Sequence, residues 1–150
     1  MAVFSSTSLA IHDLADQLRP SVLRLSRQLR REGQRTGLSS LDAMLVAAIK
    51  HNKGIGVSEL AELEQMSAPT MSVHVKRLEE AGWIARDNES CIDKRRTSLK
   101  ITRQGEKALE TVRRQRTDWL AGRLAELSDK ELQLLLGAIA PLARLAGEKA

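Results

Sequence analysis

Between Lys94 and Arg103 the chain carries five cations, Lys94, Arg95, Arg96, Lys100 and Arg103, and no acid, while Asp93 stands two positions before Arg95. Groups of this kind make and break no covalent bonds; they neutralise and read polyanions. A guanidinium held by a neighbouring carboxylate through charge-assisted hydrogen bonds suits a narrow minor groove, where negative potential is focused. A second set lies upstream: Ser67, Ala68, Pro69, Thr70, Ser72, Val73, Lys76 and Arg77. Of these, Lys76 and Arg77 can neutralise phosphates and Arg77 can read guanine edges. Thr70 and Ser72 can donate to phosphates, and Val73 can meet a thymine methyl in a major groove. Covalent or metal-assisted chemistry has no comparable support. His12, His51 and His74 stand far apart, with no HExxH, no paired cysteines and no phosphate-cradling glycine loop. A metal site of His51, His74 and Cys91 would depend on folding alone, and no spacing supports it. No catalytic residue, cofactor or metal is expected, and the chain reads as a non-enzyme.

The elements that must position these residues are legible around them. Residues 58 to 83, SELAELEQMSAPTMSVHVKRLEEAGW, contain two short amphipathic helices. Leu60 and Leu63 with Ala61 mark the first; Met71, Val75 and Leu78, at i, i+4 and i+7, mark the second. The turn between them is too short to be a domain linker. Ser67 can cap the second helix, and Pro69 falls within its first turn, where a missing N–H is harmless. Placing Met71 against the core turns Pro69, Thr70, Val73, Lys76, Arg77 and Glu80 outward, with Ser72 on the flank and His74 at the border of the buried face. Downstream, Trp83 and Ile84 begin an extended run. Thr97 to Thr102 alternates Ser98 and Lys100 with Leu99 and Ile101, the period of a half-buried strand. The two imply a hairpin whose connection, Asp87 to Arg96, holds Asn88, Ser90 and Asp93 as turn formers. A helix-turn-helix followed by such a wing is a DNA-reading arrangement, whereas two helices joined by a turn are common by themselves.

The arrangement resembles the MarR family of winged-helix transcription regulators over nearly the whole chain. The matching features are the SELAELEQMSAPTMSVHVKRLEEAGWI block, the wing with Asp93, Lys94 and Arg95 ahead of Leu99 and Thr102, the following Arg103 to Gly105, and long helices at both ends. The resemblance implies that Ser67 to Arg77 is the recognition helix and that Arg95 reads the minor groove with Asp93 as its orienting partner. It also implies a homodimer. Val73 departs from the pattern, since many similar proteins carry Arg there, and this removes a base or phosphate contact. Cys91 sits near Lys94 to Arg96, which can lower a thiol pKa and make it oxidisable. Oxidant-sensing members resemble a different layout, with the reactive cysteine on the first helix, where this chain has none.

Length and composition agree. A chain of 150 residues with 42% hydrophobic residues fits one domain with a real core, and the scarcity of aromatics leaves Leu, Val, Ile and Ala to build it. The formal charge of +5 and pI near 9.8 favour a polyanionic partner. A single cysteine excludes an internal disulfide and is ordinary for a reducing cytosol. The N-terminus lacks a signal peptide's basic start, and the apolar run Leu134 to Ala143 is interrupted by Pro141 and is far shorter than the roughly 20 residues of a membrane helix. A soluble, cytoplasmic protein is expected.

Outside the reading head the pattern is helical. From about Ser8 to Glu32, Ile11, Leu14, Leu18, Val22, Leu25 and Leu29 form one stripe, with Pro20 bending or dividing the helix. After Gly37, Ser39 or Ser40 can cap a helix through roughly His51, with Leu41, Met44, Leu45 and Ile49 inward. Gly105 to Leu127 resumes the period, and Ser128 with Glu131 makes a capping box for a last helix carrying Leu132, Leu135, Leu136, Ile139, Leu142 and Leu145. The Leu-rich terminal segments can pack within one chain or join two.

These readings converge on a mostly α fold with a small β-hairpin wing, occupying 1–150 as a single MarR-like domain. Residues 38–103 form the winged helix-turn-helix, and approximately 8–35 and 105–148 form dimerisation helices. The expected function is a dimeric, sequence-specific DNA-binding transcription regulator on a pseudo-palindromic operator, a repressor released by a small-molecule effector. Two alternatives remain open: a constitutive DNA-organising module without effector, and a redox-responsive regulator using Cys91.

Overall fold

The computed structural model describes residues 3–87 and 97–147, without the side chains of residues 3–8 and Thr36. The chain falls into two compact units, Met1–Arg116 and Thr117–Ala150. The order of elements is α1 (Val3–Gly33), α2 (Ser40–His51), α3 (Val57–Leu63), α4 (Ala68–Glu80), β1 (Ile84–Asp87), β2 (Ser98–Ile101), α5 (Arg103–Leu124) and α6 (Asp129–Leu145). The unit boundary falls inside α5. The architecture is mostly helical with one two-stranded antiparallel sheet, as the sequence leads one to expect.

In the first unit, the core joins Leu45, Val46 and Ile49 of α2, Leu60 and Ala61 of α3, Met71, Val75 and Leu78 of α4, Ile84 of β1 and Leu99 of β2. A second, smaller cluster of Leu38, Ala43 and Val112 lies beside it, and Trp83 and Leu109 pack against both. Each helix start has a physical cause. Ser39, rather than Ser40, caps α2, its Oγ accepting the Asp42 N–H at 3.1 Å. Ser67 caps α4 and Pro69 occupies its first turn. In the second unit Ser128 and Glu131 form the reciprocal box of α6, and the Ser128 hydroxyl, followed by its backbone N–H, holds the Glu131 carboxyl below its ordinary pKa.

Several residues depart from the sequence reading. Of the two effects expected of Pro20, bending or division, division does not occur: α1 continues through it. The carbonyl that loses its donor there belongs to Asp16, which is exposed, so water can replace the missing bond. Met44 and Leu63, expected inward, are exposed, while Asp42, Ala43 and Val46 are buried. The inward positions of α2 are thus 42, 43, 45, 46 and 49, a rotation the apolar pattern does not show because one of its members is a carboxylate. Ser98, expected to alternate outward, is buried, since its Oγ donates to the Asp87 carbonyl at 3.0 Å across the β1–β2 pair. Among the described residues no helix is long and apolar enough to cross a membrane.

Candidate nucleic-acid interface

The turn between α3 and α4 is closed by the Met66 N–H donating to the Ala61 carbonyl at 2.8 Å, with Gln65 in the left-handed region at φ 54°. This tight reversal carries α4 away from α3 with its apolar stripe fixed in the core. Met71, Val75 and Leu78 have no exposed surface, while Ser67, Ala68, Pro69, Thr70, Ser72, Val73, Lys76 and Arg77 are all exposed. Val73 presents 66% of its surface. The outward face therefore holds every residue assigned to it from the sequence, at the rotation that places Met71 inside.

Local bonds qualify what these side chains can offer. The Ser67 and Thr70 hydroxyls lie 2.7 Å apart and share one proton, which leaves the other available to an incoming acceptor. Ser72 donates its proton to the Ala68 carbonyl at 2.9 Å, so it meets an anion as a donor only by giving up that bond. Lys76 and Glu80 are 4.0 Å apart on the exposed surface, a pairing too weak to withhold the ammonium from a phosphate. Arg77 is different. Its Nη2 is ion-paired with Oδ1 of Asp42, on α2. The guanidinium that was expected to face DNA is directed to a carboxylate of its own chain.

The root of the wing is equally defined. Ile84 pairs with Ile101, Ala85 with Lys100, Arg86 with Leu99 and Asp87 with Ser98. Arg86 bonds Glu79 at 3.2 Å and so ties β1 to the end of α4. Lys100 lies 3.5 Å from Asp87 across the strand pair. The Leu99 N–H donates to the Ile55 carbonyl at 2.8 Å, which fixes β2 to the turn after α2. A cleft of about 480 Å³ opens beside this junction, with Lys50, Lys53 and Lys100 as its cations and Asp87 and Glu106 as its acids. At the other end of β2, the Thr102 N–H donates to the Trp83 carbonyl and the Thr102 hydroxyl accepts the Gly105 N–H, both at 3.0 Å, which starts α5 hard against the hairpin. The expected wing residues Asp93, Lys94, Arg95 and Arg96, and Cys91, lie outside the described residues.

His51 bonds the Ala47 carbonyl of its own helix at 2.7 Å, and His74 is half-buried on α4, its Nδ1 without a partner among the described residues. Among the described residues no group of three or more His, Cys, Asp or Glu side chains could hold a metal ion. The residue that sequence reasoning missed is Asp42. A first-turn acid reads as an exposed helix-dipole partner, and nothing in its spacing points to an arginine 35 positions away.

Residues 38–96 match the model of the MarR family. An uncharacterised HTH-type transcriptional regulator of Mycobacterium bovis is 30% identical over 125 residues, covering 83% of this chain and 87% of the relative. A solved Pseudomonas aeruginosa chain, described as a transcriptional regulator, superposes with a TM-score of 0.78 at 30% identity, covering 93% of this chain and 98% of that one. A mutant of MepR from S. aureus, solved bound to an oligodeoxyribonucleotide, superposes with a TM-score of 0.68 at 16% identity, over 89% of this chain and 97% of that one. At that identity the likeness is one of fold.

Proposed function

We propose that this chain, which belongs to the MarR family of transcriptional regulators, binds a pseudo-palindromic operator in double-stranded DNA as a homodimer and represses transcription there until a small-molecule effector releases it. The family is a class of regulators, not enzymes. The observation that carries the DNA reading is the division of α4: an apolar stripe buried completely in the head, and an outward face of hydroxyls, Val73 and Lys76 that the described residues leave exposed. Such a face fits a major groove, with Lys76 on phosphate and Val73 near the bases. The wing supplies the second contact, Arg95 entering the minor groove with Asp93 orienting it and Lys94 and Arg96 on phosphate. A protein of the same fold, the MepR mutant, has been solved with an oligodeoxyribonucleotide, which supports the assignment at the level of fold.

The dimer is supported by α1, whose Ile11, Leu14 and Val22 stand open to solvent in the single chain. Two-fold symmetry sets paired recognition helices about 34 Å apart, one per successive major groove. An effector acts by binding one arrangement of the heads better than the other, since the operator accepts only one spacing. A regulator of this kind works in the compartment that holds the DNA, the cytoplasm of a bacterial cell.

Footprinting upstream of the protein's own coding region supplies the operator. Its affinity should fall with salt at a slope of about −0.9 for each phosphate neutralised. Arg95→Ala should weaken binding strongly and leave the dimer intact; a flat salt titration, or unchanged binding by Arg95→Ala at matched salt, would refute the respective parts.

A further inference from the structure

We propose that Asp42 is the positioning residue of the recognition helix: its buried carboxylate holds the Arg77 guanidinium and fixes the rotation of α4, so that Arg77 serves the geometry of reading rather than touching the operator. This rests on the DNA-binding function above.

Asp42 is one of two buried polar or charged residues among the described residues, the other being Ser98. Its side chain is 9% exposed, that of Arg77 50%. The backbone that carries the carboxylate is held at the start of α2. The Asp42 N–H is bound by Ser39, and the next residue, Ala43, packs with Leu38 and with Val112 of α5. The end of α1 closes on the same place, since a Cβ on Gly33 would stand 3.0 Å from Val112 and 2.7 Å from Arg116. Ala43, the neighbour of Asp42 on α2, therefore stands where α1, α2 and α5 converge, and the partner of Asp42 is on the reading helix.

A buried carboxylate left without its cation costs more free energy than the pair contributes. Moving Arg77 onto DNA would create that state, so the pair persists in the complex. Arg77 follows Val73 by four residues, and such residues lie on one helical face, one turn apart. Holding Arg77 thus sets the direction in which Val73 and Lys76 meet the groove. The buried stripe of Met71, Val75 and Leu78 sets which side of α4 faces inward, and a directional ion pair at the edge of that stripe removes the rotational play that non-directional apolar packing leaves. Bidentate-capable arginine suits that task better than lysine.

The test uses the full chain, with wild type measured on the footprinted operator and on a random duplex. Asp42→Asn removes a negative charge, so simple electrostatics requires equal or tighter binding to both duplexes. Positioning requires the opposite on one of them: operator affinity at least tenfold weaker, random-duplex affinity equal or higher, and the salt slope unchanged, at matched fraction folded. Arg77→Ala should repeat the operator loss without flattening the slope, and the double variant should be no worse than either single one. Asp42→Leu with Arg77→Met, an apolar replacement of the pair that preserves packing, covers the case in which a single variant unfolds; it too should lose discrimination at an unchanged slope. Operator binding by Asp42→Asn equal to or tighter than wild type overturns the proposal. So does a slope flattened by about 0.9 per protomer in Arg77→Ala, which would place Arg77 on a phosphate. Failure of the wild type to bind any duplex in a salt-dependent way overturns the DNA reading and this proposal with it.

Discussion

Val73 stands between Met71 and Val75, both fully buried, and yet presents 66% of its own surface, so a rotation of about 100° per residue places it on the side facing away from the core. Among the described residues this exposed branched apolar side chain, with Lys76 one turn further on, has no packing partner to explain it. It has no hydrogen bond to offer a base, but it can cover a thymine methyl and exclude water, which favours A·T at its position. Val73→Arg introduces a bidentate donor suited to guanine together with a charge that any phosphate attracts. The variant should bind random DNA more tightly and shift sites selected from a random duplex pool toward G·C at one position per half-site, a preference of about 1–3 kcal/mol. Identical sites selected by both proteins would show that Val73 does not face the bases.

Elements are joined here by a few close approaches, and at the described glycines the tightest is that of α5 to Trp83, the residue before β1. Gly105 is buried against Trp83, and a Cβ built at 105 falls far inside van der Waals contact distance of the Trp83 carbonyl oxygen, the same oxygen that accepts the Thr102 N–H. Gly105→Ala must push α5 off the root of the wing, at a cost of about 1–3 kcal/mol for forced repacking, and should lower Tm by several degrees at about 2–4 °C per kcal/mol for a chain of this length. Gly122, on the same helix, has open space where its Cβ would be. Gly122→Ala should raise Tm slightly, because alanine is the better helix former by about 1 kcal/mol. Equal effects of the two changes in a calorimetric comparison would remove the steric argument. The elements themselves were legible in the sequence for local reasons: Ser67 and Ser128 mark helix starts, and Met71, Val75 and Leu78 set a rotation that the structure keeps. What was not legible depends on distant partners. The inward turn of Asp42 needs Arg77, and the burial of Ser98 needs the Asp87 carbonyl, neither of which periodicity can announce. Met44 was misplaced for the same reason, since an apolar residue was credited with the position that a paired carboxylate occupies.

At the scale of the whole molecule, 31-residue α1 is an anomaly for a single chain: Leu9, Ile11, Leu14, Leu18, Val22 and Leu25 all face solvent. A continuous apolar stripe of this length marks an interaction surface, because a monomer gains nothing from keeping it in water. In the other unit, Leu135, Ile139 and Leu142 of α6 are also exposed. An isologous contact presents each stripe residue twice, so a single substitution acts at two places. Leu14 is 64% exposed in the chain and lies near the middle of the stripe. In the proposed homodimer, Leu14→Lys should forfeit about 1.5–3 kcal/mol of burial per copy, hence about 3–6 kcal/mol per dimer. At about 1.4 kcal/mol per tenfold, the dimer dissociation constant should rise between about a hundredfold and ten-thousandfold. Sedimentation velocity over a concentration series measures this directly. The DNA consequence separates the dimer from the fold: binding to a full operator should weaken far more than binding to an isolated half-site, since each head keeps its own contacts and loses only its tether to the other. Sedimentation of Leu14→Lys indistinguishable from wild type at every concentration would mean that the α1 stripe is not where two copies meet, and the spacing of paired recognition helices would then need another origin.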